Sequence, residues 1–131
     1  MNKQKIIIIE DDEILSKVLC TDLADAGFNA LPAFDGESGL KLVRSEKPDL
    51  VLLDLIIPKK HGLEILEEIK KMPDTRGIPV IILTFLGDDE TIKKSLRLGA
   101  EDYLVKSSHA LAEIVERVKN FFAQEQRPKA K

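Results

Sequence analysis

Leu50-Val51-Leu52-Leu53-Asp54 is the stretch on which the fold turns: four aliphatic residues in a row, ended by a carboxylate. A strand open to water on one side alternates apolar and polar residues. An unbroken apolar run of this length fits a strand covered on both faces. The pattern recurs upstream, where Ile6-Ile7-Ile8-Ile9 leads into Glu10-Asp11-Asp12-Glu13, and downstream, where residues 80–83 lead into Thr84. Residues 103–105, before Lys106, form another run. Residues 30–33 are the weakest, and Pro32 predicts an edge strand there, since a missing N–H does no harm at an edge.

Helical spacing fills the intervals. Ile14, Val18, Leu19, Leu23 and Ala26 form one stripe, closed by Gly27 as a C-cap candidate. Residues 35–46 form a second helix with Leu40 and Val43 inward. Leu63, Leu66 and Ile69 mark a third, entered through Gly62, and Ile92 and Leu96 mark a fourth, ended by Gly99. The clearest stripe is the last: Leu111, Ile114, Val115, Val118, Phe121 and Phe122. Strand and helix therefore alternate as (βα)5, an α/β pattern that calls for one doubly wound parallel sheet with right-handed crossovers. The common strand order for five such units is 2-1-3-4-5, the flavodoxin-like arrangement, with ligands at the carboxyl ends of the strands.

Bulk properties narrow the function classes. The 131 residues, 44% hydrophobic and 33% charged, suit one soluble domain able to bury a core without disulfides or a structural metal. The lone Cys20 has no partner for a disulfide or a zinc site, which points to a reducing compartment. No secretory leader is evident, and no segment approaches the roughly 20 apolar residues of a membrane span. The cytoplasm is the expected setting, with no membrane partner. The net charge is −3, and because Arg127, Lys129 and Lys131 contribute +3, residues 1–126 carry −6. An acidic body argues against direct nucleic-acid binding, which needs a basic face. The expected division is a domain over residues 1–124 and a tail, or the start of a linker, over 125–131.

The predicted sheet brings Glu10, Asp11, Asp54, Thr84 and Lys106 to one edge. Clustered carboxylates repel one another, at a cost of several kcal/mol if desolvated, unless a cation neutralises them. The donors are hard oxygens with no second cysteine and no convincing histidine pair, so Mg²⁺ is favoured over zinc. Asp54 is then available as a nucleophile forming an acyl phosphate. Lys106 can offset charge on the phosphoryl oxygens, and Thr84 can donate a hydrogen bond to one. Each residue has an ordinary alternative: Asp54 as a turn former, Thr84 as a strand-end threonine, Lys106 as a solvated lysine. For Asp12 and Glu13 the ordinary reading, favouring the positive end of the first helix, is preferred. The ordinary readings win singly and lose jointly, because four of the five strand ends carry such residues.

The chain resembles the receiver domains of two-component response regulators, particularly single-domain, chemotaxis-regulator-like ones. The residues that carry the resemblance are Ile6-Ile7-Ile8-Ile9-Glu10-Asp11-Asp12, Pro48-Asp49-Leu50-Val51-Leu52-Leu53-Asp54-Leu55-Ile56-Ile57-Pro58 with Gly62-Leu63-Glu64, Ile78-Pro79-Val80-Ile81-Ile82-Leu83-Thr84, and Gly99-Ala100-Glu101-Asp102-Tyr103-Leu104-Val105-Lys106. The resemblance implies that Asp54 is phosphorylated by a histidine kinase or phosphotransfer protein. It implies that Asp11, Asp54 and the carbonyl of Ile56 bind Mg²⁺, with Glu10 acting through water. It implies that Thr84 and Tyr103 switch together, changing a face offered to a downstream target or output domain. Such a domain is not an enzyme beyond catalysing its own phosphorylation and dephosphorylation.

Three positions depart from that family's pattern. Ser107 stands where a cis proline is usual, Phe85 where a small side chain is usual, and His61 where an acidic residue is common. A non-proline cis bond costs about 2.5–4 kcal/mol, so the Lys106–Ser107 bond is expected to be trans or strained. Phe85 would either obstruct entry to the site or turn outward as a partner contact. His61 reads as a solvated loop residue. Two other functions stay open at this point: a receiver-like interaction module independent of phosphorylation, and a nucleotide- or flavin-binding protein. The latter lacks a glycine-rich phosphate loop after the first strand. The last helix could support a homodimer, although a solvated face beside a core stripe is the commoner explanation.

Overall fold

The computed structural model describes residues 3–125. Five parallel strands run in the order β2-β1-β3-β4-β5: β1 (Lys5–Ile9), β2 (Asn29–Ala33), β3 (Leu50–Leu53), β4 (Val80–Thr84) and β5 (Asp102–Val105). The helices are α1 (Glu13–Asp25), α2 (Gly36–Glu46), α3 (Gly62–Lys71), α4 (Asp89–Arg97) and α5 (Leu111–Glu125), with a 3-10 turn at Lys106–Ser108. This is the expected flavodoxin-like α/β fold. Positions 126–131 of the expected tail lie outside the described residues.

Alternation along each strand sorts the core into two layers. Ile7, Ile9, Val51, Leu53, Val80 and Ile82 face Leu40 and Val43 of α2 and Ile65, Leu66 and Ile69 of α3. Ile6, Ile8, Leu50, Leu52, Ile81, Leu83 and Leu104 face Leu19 and Leu23 of α1 and Ile114, Val118 and Phe122 of α5. Full burial of each such side chain contributes about 1.5–3 kcal/mol, and both faces of β1 and β3 draw on it. Their sequences therefore carry no polar alternation. β2 pairs with β1 alone, which makes it an edge strand, so Pro32 is tolerated there.

Three stripe positions are corrected by the structure. Ile14 is 79% exposed, because the buried face of α1 is Ser16, Leu19 and Leu23, and Ile14 sits roughly 140° around the helix from Leu19. Leu96 is 46% exposed, and the buried residue of α4 is Ser95, whose hydroxyl donates to the Thr91 carbonyl at 2.9 Å. α1 carries apolar residues on more than one side and α4 has only Ile92 and Leu96, so the periodicity left the orientation of both helices loosely specified. Ala26, at the cap of α1, is also exposed, and Gly27 follows it at φ +98°. No helix among the described residues is long and apolar enough to cross a membrane.

Candidate functional site

The site stands on the carboxyl edge of the sheet, where strand pairing places residues distant in sequence side by side. Ile9 pairs with Leu53, so the next residue on each strand, Glu10 and Asp54, leaves the sheet at the same level. The ladder continues one step further: Asp54 N donates to the Ile9 carbonyl at 3.0 Å and Glu10 N to the Ala33 carbonyl at 2.9 Å. Behind Asp54 the start of α3 packs so closely that a Cβ on Gly62 would collide with Leu55 Cα and the Asp54 carbonyl. Only glycine permits that approach, and it fixes the loop leaving β3.

Glu10, Asp11 and Asp54 each offer a carboxylate oxygen within 4.8 Å of the others. Glu10 is buried, Asp54 is 6% exposed, and Asp11 faces solvent. Backbone donors orient the two buried groups: Asp12 N donates to Glu10 Oε2 at 3.0 Å and Ile56 N to Asp54 Oδ1 at 3.1 Å. Lys106, directly after β5, brings its Nζ to Asp54 Oδ2 at 2.9 Å and to Glu10 Oε1 as well. Burial pushes the Glu10 carboxyl up, the hydrogen bond from Lys106 opposes this, and the Asp54 charge adds to the rise. Burial alone would lower the Lys106 ammonium, but its bonds to Glu10 and Asp54 outweigh that and hold it above the usual range.

Thr84 ends β4, pairs with Val105, and is fully buried, with no hydrogen-bond partner for its hydroxyl among the described residues. A buried hydroxyl without a protein partner is costly. Tyr103 is half-buried, and its hydroxyl donates to the Leu86 carbonyl at 2.6 Å, tying β5 to the loop that follows Thr84.

The departures resolve as follows. All described peptide bonds are trans, the Lys106–Ser107 bond included, and Lys106 still reaches both carboxylates. Phe85 turns outward, 65% exposed, with its ring centroid 5.1 Å from Lys106 Nζ. His61 is exposed and caps α3, its Nδ1 accepting from Leu63 N at 3.1 Å. Asp12 caps α1, accepting from Ile14 N and Leu15 N. The sequence reading missed the Lys106–Glu10 pair and the Phe85–Lys106 contact. Neither has a local signal, because the first joins residues 96 positions apart and the second depends on side-chain direction.

The class defined by this fold and site is that of flavodoxin-like α/β proteins with an acidic, lysine-bearing pocket at the carboxyl edge of the sheet. A family model described as the response regulator receiver domain matches residues 6–119, and the chain belongs to that family. A probable transcriptional regulator, ycf27, of Porphyridium aerugineum is 40% identical over 106 residues, covering 81% of this chain and 43% of its own. A CheY-like response regulator receiver domain protein from Methanospirillum hungatei matches in structure with a TM-score of 0.87 at 25% identity, over 95% of this chain and 98% of that one. The Mn²⁺-bound form of response regulator Rcp1 matches with a TM-score of 0.81 at 28% identity, over 97% and 99% of the two chains. The chain spans about half the length of the curated relatives it matches. Receiver domains are signalling phosphoacceptors rather than classical enzymes, generally bind Mg²⁺ at an acidic cluster, and work with histidine kinases and output domains.

Proposed function

We propose that Asp54 accepts a phosphoryl group from a histidine kinase or phosphotransfer protein. The observation that carries this reading is the buried Asp54 carboxylate, held at 2.9 Å by a buried lysine within a three-carboxylate cluster. An Asp54 oxygen attacks phosphorus, the bond from phosphorus to the donor nitrogen breaks, and the electron pair leaves with the donor's imidazole. Lys106 meets charge developing on the phosphoryl oxygens. The buried Thr84 hydroxyl donates to one of them.

The donor set fits Mg²⁺: hard oxygens of Asp11 and Asp54 and the carbonyl of Ile56, with Glu10 acting through water. Similarity to a Mn²⁺-bound regulator supports a divalent cation here. When bound, the ion supplies neutralisation of carboxylate and phosphoryl charge. As Thr84 turns toward the new anion, Tyr103 exchanges its present hydrogen bond for the space vacated, and the face of α4, β5 and α5 changes. That face acts on a downstream protein target or output domain. The receiver domain spans residues 1–124, followed by a tail or linker over 125–131.

Incubation with Mg²⁺ and acetyl phosphate, read by intact-protein mass spectrometry, is expected to add one phosphoryl mass. Asp54→Asn is expected to abolish the gain. A protein that gains no mass with several donors, yet still binds a histidine kinase, would be an interaction module independent of phosphorylation.

A further inference from the structure

Phe85 presents a physical puzzle. A phenyl ring that is 65% exposed gains little from burial, yet the Lys106 ammonium lies over it, 5.1 Å from its centroid. An ammonium has three N–H donors. Glu10 and Asp54 accept from Lys106, and the ammonium also lies over the Phe85 ring. The ring face is the negative end of an aromatic quadrupole, so it attracts an ammonium while displacing the water that would otherwise solvate it. The Lys106 side chain is only 7% exposed. Phe85 directly follows Thr84, so the end of β4 sets where its ring begins.

We infer that Phe85 is a positioning residue: its ring face holds the Lys106 ammonium aimed at Asp54, ready for the oxygens of an incoming phosphoryl group. The inference rests on the proposed phosphoacceptor reading. It is distinct from the view of Phe85 as an obstruction, because the two differ in sign. A bulky cover slows the reaction and its removal speeds it. A ring that holds the lysine speeds the reaction and its removal slows it.

The test is a series of three variants, Phe85→Leu, Phe85→Ala and Phe85→Tyr. Their phosphorylation by acetyl phosphate with Mg²⁺ is followed by intact mass across a range of donor concentrations. Leucine keeps the bulk and removes the quadrupole. The expected result for Phe85→Leu and Phe85→Ala is a maximal rate about two- to fivefold lower, the size of an exposed cation–π contact, with the half-saturating donor concentration unchanged. Phe85→Tyr is expected to recover the rate that Phe85→Leu loses. A Leu variant as fast as the parent, or an Ala variant that is faster, overturns the proposal in favour of a steric cover.

A second measurement does not need phosphorylation. The Lys106 ε-methylene protons, observed by NMR in the unmodified protein, are expected to carry an aromatic ring-current shift that persists in Phe85→Tyr and vanishes in Phe85→Leu. Absence of that shift in the parent protein overturns the positioning role. If no variant, nor the parent, gains phosphoryl mass, the phosphoacceptor reading fails while the ring-current result still decides whether the ring holds the lysine.

Discussion

Tyr103 is the only tyrosine in the chain, so its titration can be followed without interference. Burial, followed by the charges of Asp88 and Asp54, pushes its phenol up to about 12. An unfolded tyrosine ionises near 10, so the folded state binds the proton more tightly over that interval. Its contribution to stability is therefore complete below about pH 10 and is lost as the pH rises through about 12. Absorbance of the phenolate is expected to show a midpoint near 12 in the folded protein. A midpoint near 10 would mean that the ring lies in water and not against Leu86. At the same scale, Gly62 shows how one missing Cβ positions a neighbour: α3 can start against Asp54 only because nothing stands between them.

Among the elements, α1 carries a clear division of labour at its start. Asp12 uses its side chain to cap the helix and its backbone N–H to orient Glu10. Asp12→Ala removes the cap and leaves the backbone donor, so the variant is expected to lose about 1 kcal/mol in urea denaturation. Phosphorylation of Asp54 is expected to continue in it. A variant that keeps its stability but cannot be phosphorylated would place Asp12 in the site itself. That Asp12 serves the start of the helix was available from the order of residues alone. The exposure of Ile14 was not, because a single isoleucine on the first turn fits either side of a helical stripe.

On the scale of the whole molecule, the sheet concentrates negative charge at one edge of an already acidic protein. Lys106 offsets part of it by bridging Glu10 and Asp54, and Asp11 adds to it. A ligand that binds only the folded state stabilises it by mass action, about 2.7 kcal/mol at a hundredfold excess over its Kd. Mg²⁺ is therefore expected to raise the melting temperature of the parent protein by several degrees. Asp11→Asn is expected to melt higher than the parent without Mg²⁺, since one repelling charge is gone, and to respond less to the ion. Equal responses in both proteins would remove Asp11 from the cation site.

Sequence alone determined the strands, their order and the edge on which the chemistry gathers. Apolar runs without alternation require two covered faces, and parallel crossovers then leave few arrangements. It also named the carboxylates, because a strand's last residue is a position in the chain as well as in space. Tertiary structure decided the rest: which carboxylates Lys106 joins, that the Thr84 hydroxyl is fully buried, and that the Lys106 ammonium lies over the Phe85 ring. Those are matters of side-chain direction between residues far apart in the chain. Local patterning constrains which residues arrive at an edge, whereas the rotamers they adopt answer to neighbours that only the folded chain supplies.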